Sequence, residues 1–275
     1  MHWSDQQQAM LREMGLRLWA PLAVPTGAPI AEVPVPAVLE ASAKAAPVVA
    51  AVPLSTLMIP APPMASAEPS PVASMDWPAL RDAVAGCRAC SLCESRRHTV
   101  FGVGHPRAHC MVVGEAPGEQ EDLQGEPFVG AAGQLLDRML AALQLTRSAE
   151  GPEPPSQRVY IANTLKCRPP RNRNPSAEEL ATCQPFLERQ VALVQPRVIL
   201  AMGAYAVRSL LGSDAPIGRL RGQVHHWHGV PLVVTYHPAY LLRQPADKAR
   251  AWDDLCLAAS CLAAGNLPPP APAGA

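Results

Sequence analysis

The stretch His109-Cys110-Met111-Val112-Val113-Gly114-Glu115-Ala116-Pro117-Gly118-Glu119-Gln120-Glu121-Asp122 decides the fold class. A short apolar run breaks abruptly into an acidic loop bearing glycine and proline, the pattern of a buried strand that delivers a loop to one edge of a sheet. The pattern returns at Arg158 to Asn163, Arg197 to Met202 and Pro231 to Tyr236. Helical stretches separate these runs. Gly133 to Leu145 aligns Leu135, Leu136, Met139, Leu140 and Leu143 on one face, and Ala177 to Val194 opens on the capping box Ser176-Ala177-Glu178-Glu179. Ala204 to Leu211 and Lys248 to Leu262 supply two more. The alternation predicts an α/β domain, a three-layer αβα arrangement around a central four-stranded, mainly parallel sheet. In such sheets the ligand crevice lies beyond the carboxyl ends of the strands, so function is sought in the polar segments there.

Outward from this core the composition changes. The domain is expected over residues 76–265. Residues 21–75 hold twelve prolines, four charged residues and no aromatic side chain, too little apolar surface to offset the entropy of ordering. They read as a disordered Pro/Ala-rich linker, and residues 266–275 as a disordered tail. In residues 1–20, Trp3, Met10, Leu11, Met14, Leu18 and Trp19 recur at near-helical spacing. This short amphipathic helix either packs on its own domain or docks a protein partner at the end of the linker.

The formal net charge is zero, and from residue 76 onward 20 Lys and Arg face 18 Asp and Glu, so contact with a polyanion must be local. No apolar run is long enough to span a membrane, and the opening residues lack the basic-then-apolar order of a secretion signal. A cytoplasmic, nucleoid-associated monomer with no membrane partner is expected.

Eight cysteines need an account. Cys87 and Cys90 share one short turn, Cys167 follows a strand-like run, and Cys183 stands sixteen residues further on. An iron–sulfur cluster accepts ligands from separated segments, one thiolate to each iron corner. Zinc usually draws two close Cys-x-x-Cys pairs, and disulfides suit secreted chains, so both remain as alternatives. Cys110, Cys256 and Cys261 lie in apolar runs as small hydrophobes, while Cys93, three residues past Cys90, is ambiguous.

Each strand end offers chemistry beside a plainer reading. In the first loop Glu115 and Glu121 can orient water or stabilise positive charge, although a solvated turn would look the same. Phe128, one of three phenylalanines, sits between a proline and glycines, where its face is free to stack on a planar base. Asn163 offers a donor and an acceptor together, which can read a base edge or simply cap a turn. Lys166, Arg168, Arg171 and Arg173 sit in a proline-stiffened loop suited to phosphates, or to solvent. His237 can donate to a developing anion or act as an acid near neutral pH. Arg219 and Arg221 flank a Gly-rich turn near His225, His226 and His228, a weak candidate metal cluster without carboxylates.

Taken together, Cys87-x-x-Cys90, Val100-Phe101-Gly102-x-Gly104, the Gly114-to-Asp122 run, Pro127-Phe128-Val129-Gly130, Asn163 with Lys166-Cys167-Arg168-Pro169-Pro170, Cys183 and His237-Pro238-Ala239 resemble the family 4 uracil-DNA glycosylases over about residues 77 to 256. The resemblance implies a DNA-repair hydrolase that flips uracil out of DNA and cleaves its N-glycosidic bond. It implies a [4Fe–4S] cluster on Cys87, Cys90, Cys167 and Cys183, with Cys93 a bystander. By position, Phe128 would stack on the uracil, Asn163 would read its pairing edge, the backbone around Glu115 and Ala116 would contact the base, and His237 would face O2. Ala116 stands where better-known uracil glycosylases carry a water-activating aspartate, leaving Glu115 and Glu121 as candidates for that role. Val103 departs from the acidic residue of many relatives. A non-catalytic or covalently trapping iron–sulfur protein that binds uracil-DNA is the alternative, and the trapping group's histidine-bearing loop is missing between Cys167 and Cys183.

Overall fold

The structure is a computed structural model and describes residues 71–264. The amphipathic N-terminal segment, the linker up to residue 70 and the tail lie outside the described residues. The last residues of the expected linker belong to the fold instead. Pro71–Ser74 forms a 3-10 turn, Val72 and Met75 pack on the Leu80 cluster, and the Arg189 guanidinium donates to the Met75 carbonyl.

The strands are β1 (Val103–Gly104), β2 (Cys110–Gly114), β3 (Val159–Asn163), β4 (Val198–Met202), β5 (Val224–Trp227) and β6 (Val230–Thr235). The helices are α1 (Trp77–Ala85), α2 (Leu92–Ser95), α3 (Glu119–Gln124), α4 (Ala131–Ala142), α5 (Ala177–Val194), α6 (Ala204–Leu211), α7 (Ile217–Leu220), α8 (Pro238–Arg243) and α9 (Lys248–Ala264). The sheet has six strands, not four, in the order β1-β3-β2-β4-β6-β5. Its middle four are parallel, and an antiparallel strand closes each edge. The two edge strands escaped the sequence reading for physical reasons. β1 has only two residues, and β5 reads Val-His-His-Trp with just Trp227 buried, so neither presents an apolar run. The turn His228-Gly229, with φ of 47° and 81°, is the usual link of a two-residue hairpin and was the available signal for β5.

Alternation along the parallel strands loads both faces of the sheet. Cys110, Val112, Val159, Ile161, Val198, Leu200 and Val233 meet Leu136, Met139 and Leu140 of α4 and Trp252 and Leu255 of α9. Met111, Val113, Tyr160, Ala162, Ile199, Ala201 and Val234 meet Leu187 and Val191 of α5 and Val207 and Leu210 of α6. Each such aliphatic side chain contributes about 1.5–3 kcal/mol by leaving water. The N-cap of α5 is the predicted capping box, with the Ser176 hydroxyl accepting from the Glu179 N–H at 3.1 Å. Val103, the departure noted above, pairs with Ile161 and packs on the α4 side of the core. Among the described residues no helix is long and apolar enough to cross a membrane.

Candidate active site and cysteine cavity

The register aligns the strand ends. Gly114 stands opposite Asn163 across β2 and β3, and Met202 opposite Thr235 across β4 and β6. The segments leaving these ends form an open cleft lined by Glu115, Ala116, Phe128, Asn163 and His237 among others. The predicted catalytic and base-contacting residues Glu115, Ala116, Glu121, Phe128, Asn163 and His237 all line this cleft, whereas of the predicted DNA contacts only Arg173 does.

Asn163 is buried, and its Oδ1 has no hydrogen-bond partner among the described residues. A buried amide oxygen left bare carries a desolvation cost that a ligand N–H would relieve. Gly114 makes the space for it. A Cβ on Gly114 would collide with Asn163 Oδ1 and lie 2.6 Å from Phe128 Cζ. Phe128 holds a left-handed backbone with φ of 56°, which costs a non-glycine residue on the order of 1–3 kcal/mol and concentrates at functional sites.

His237 is the N-cap of α8, where its Nδ1 accepts from the Ala239 N–H at 3.2 Å. That bond leaves the ring proton on Nε2 in the neutral tautomer. Burial, helped by the Arg243 cation, lowers its pKa to about 4, so near neutral pH the ring is uncharged. This corrects the expectation of an acid working near neutral pH: the ring is a neutral hydrogen-bond donor.

The two candidate carboxylates differ. Glu121 is spoken for. Its Oε1 accepts from the N–H groups of Val129 and Gly130 at 3.0 and 3.1 Å, and its Oε2 from Gly118 at 3.1 Å. It shapes the loop, so the role of a free water-activating carboxylate is withdrawn from it. Glu115 has no side-chain hydrogen bond among the described residues, and burial raises its pKa. Its backbone is fixed, since its carbonyl accepts from the Leu165 N–H and the Thr164 hydroxyl.

The basic residues also divide. Lys166 is not a surface cation: it is 2% exposed, and its ammonium donates to the Asn163 carbonyl at 2.7 Å and to Gln190 Oε1 at 2.6 Å. Burial lowers its pKa to about 8. Arg221 is bound to the buried Asp254, with Nε 3.0 Å from Oδ2, and is likewise withdrawn as a phosphate contact. Arg173 forks onto Glu179 at 2.6 and 2.9 Å, and Arg168 reaches Asn172 and Glu119. Arg171 and Arg219 are exposed, without an ion pair among the described residues. Tyr240 and Arg243 line the cleft and were missed. Their signal was the His237-Pro238 helix start, which carries the rest of that short helix along the same rim.

A second, small pocket is lined by Cys87, Cys90, Cys167 and Cys183 among others. Cys93, expected to stand aside, borders it too. All these thiols are free. Hydrogen-bond donors already meet the sulfurs: Arg96 Nη1 lies 3.0 Å from Cys167 Sγ and the Lys166 N–H 3.3 Å from Cys183 Sγ. Arg96 also donates to the Cys87 carbonyl at 2.8 Å, joining two of the cysteine segments. Burial pushes the Cys183 thiol up to about 11 and raises Cys167, while the Lys166 and Arg96 cations pull the other way. No three His, Cys, Asp or Glu among the described residues are placed to hold a single metal ion. His225 instead lies 2.7 Å from the Leu220 carbonyl.

The comparisons agree with this geometry. The sequence profile described as the Uracil DNA glycosylase superfamily matches residues 101–256, and the chain belongs to that superfamily. It is similar to the "Type-4 uracil-DNA glycosylase" of Pyrobaculum aerophilum, 39% identical over 191 residues covering 66% of this chain and 93% of the relative. The proteins of the same name from Archaeoglobus fulgidus and Thermotoga maritima are 41% and 40% identical, covering 59% and 62% of this chain and 81% and 85% of the relatives. Within the superfamily, the chain belongs to this type-4 branch.

Proposed function

We propose that the chain extrudes uracil from DNA and hydrolyses the bond joining the base to the sugar, releasing free uracil and leaving an abasic site. The observation that carries this reading is the meeting of Phe128, Asn163 and His237 in one cleft, with the Asn163 amide oxygen buried and without a partner among the described residues. Extrusion costs about a few kcal/mol, least where the base is mispaired. Phe128 then offers its face to the flipped ring, and Asn163 Oδ1 accepts from a donor on the base's pairing edge. As the bond from C1′ to N1 breaks, its electron pair passes to the uracil, and His237 Nε2–H donates to the anion developing at O2. The sugar gains positive charge, which the Glu115 carboxylate faces while holding the attacking water. That water's oxygen bonds to C1′, one of its protons leaves through the carboxylate to solvent, and the departing uracil anion takes up a proton from solvent. Ala116 carries no group able to share this task. Arg168, Arg171, Arg173 and Arg219 would supply cations for the phosphates.

We further propose that Cys87, Cys90, Cys167 and Cys183 hold a [4Fe–4S] cluster. Support comes from their common pocket and from the N–H donors already directed at two of the sulfurs. The cluster would supply a rigid junction behind the Arg168-to-Arg173 loop, and no step of base release passes through it. The amphipathic segment of residues 1–20 is proposed to dock a protein partner, on its sequence pattern alone.

Incubation of the purified chain with single- and double-stranded uracil-DNA tests the reading. Free uracil and an alkali-labile site are expected; a stable protein–DNA adduct, or binding without cleavage, would overturn it. Visible charge-transfer absorbance and stoichiometric iron and sulfide, or their lack, decide the cluster.

A further inference from the structure

Phe128 presents its ring to the cleft from a backbone conformation that aromatic residues avoid, and the groups that impose it are specific. Arg147 Nη1 donates to the Pro127 carbonyl and Nη2 to the Phe128 carbonyl, both at 3.0 Å. Its Nε lies 2.7 Å from Asp137 Oδ1 on α4, so the fork is itself anchored. The next two peptide N–H groups, of Val129 and Gly130, are taken by the Glu121 carboxylate. One cation thus grips the carbonyls of this turn and one anion its amides. Beneath them Gly133 lets α4 lie directly against the turn, since a Cβ there would collide with the Phe128 carbonyl. The outcome is a ring 5% exposed, stacked on His237. Arg147 does not line the cleft, so any effect it has on the reaction passes through Phe128.

We infer that Arg147 is a positioning residue for the base-stacking face: it holds Phe128 in its left-handed conformation and so fixes the ring on the cleft before DNA arrives. The inference rests on the function proposed above. A planar fork with two parallel donors suits the role, and lysine, with one ammonium, would fill it in part.

A double-mutant cycle tests it, with single-turnover uracil release from DNA as the readout. Arg147→Gln should lower the rate about tenfold to a hundredfold, the range of a misplaced contact, with uracil-free duplex bound as before. Arg147→Lys should recover part of that loss and guards against a variant that fails to fold. In the Phe128→Ala background the same Arg147→Gln change should cost less than about twofold, because coupled residues are not additive. A full additional loss there, or wild-type activity in Arg147→Gln, would overturn the inference. Crystal structures of wild type and Arg147→Gln judge it without activity: Phe128 should leave positive φ and its stack on His237, and an unmoved Phe128 would sink it. If the wild type released no uracil, the proposed function would fall while these structures still decided what Arg147 does.

Discussion

The imidazole of His237 stacks on the ring of Phe128, centroids 5.4 Å apart and planes 27° from parallel. The pair joins the loop after β2 to the end of β6, so the apolar wall and the hydrogen-bond donor of the cleft are set against each other before a substrate enters. Because His237 Nδ1 accepts from the Ala239 N–H, Nε2 is the ring nitrogen that carries the proton, and it has no hydrogen-bond partner among the described residues.

His237→Ala should therefore lower kcat by about 10²–10³-fold, the usual loss for one donor to a developing oxyanion, with KM nearly unchanged. Steady-state kinetics on uracil-DNA check this. A rise in KM with kcat preserved would assign the ring to ground-state binding instead.

The pH profile should carry one acid limb, set by Glu115. Burial raises this carboxyl above its ordinary 4.5, so ionised Glu115, and activity with it, is lost at a higher pH than for an exposed glutamate. His237 moves the other way. With its pKa near 4 instead of 6.5 it stays neutral through the working range, and no inflection should appear around 6.5. The stability sign follows: the folded state resists protonating this ring, so its contribution is complete above 6.5 and declines as the pH falls toward 4. Glu115→Gln should abolish the acid limb in a kcat/KM titration.

Gly114→Ala should close the pocket without disturbing the duplex-binding surface. The added methyl would occupy the space between Asn163 Oδ1 and the Phe128 ring, where the base would enter. Uracil release should fall by at least about 10²-fold, while affinity for uracil-free DNA stays within about twofold. Parallel cleavage and binding titrations separate the two.

Much of this was legible in the sequence, and the failures have causes. The four parallel strands stood out because each is buried over most of its length and reads as a mainly apolar run. The cleft followed from them, since such strands deliver their loops to one edge. Lys166 was misread because composition cannot separate a cation facing solvent from one folded inward onto a carbonyl and a glutamine. Glu121 was misread for a related reason: the three amides it accepts from are spread over the turns on either side of α3. Arg147 gave no signal at all, lying in a polar loop whose contacts are made only in three dimensions.

The basic residues yield a prediction that divides them. Arg171→Ala should reduce the slope of log K against log salt by about 0.7–0.9, the share of one phosphate contact. Lys166→Met should leave that slope unchanged and instead destabilise the fold, because the Asn163 carbonyl and Gln190 Oε1 lose a charged partner at roughly 1–3 kcal/mol each. Salt titrations of DNA affinity and denaturant unfolding read the two effects apart.

The cleft draws on residues from Glu115 to Arg243, contributed by segments that follow β2, β3, β4 and β6 in turn. During synthesis a chain emerges from its amino end, so the His237 helix leaves the ribosome after the segments that carry Phe128 and the four clustered cysteines. A nascent polypeptide that already displays Cys87, Cys90, Phe128, Cys167 and Cys183 therefore still lacks one wall of the cleft. The molecule becomes competent only when the final parallel strand takes its place beside β4.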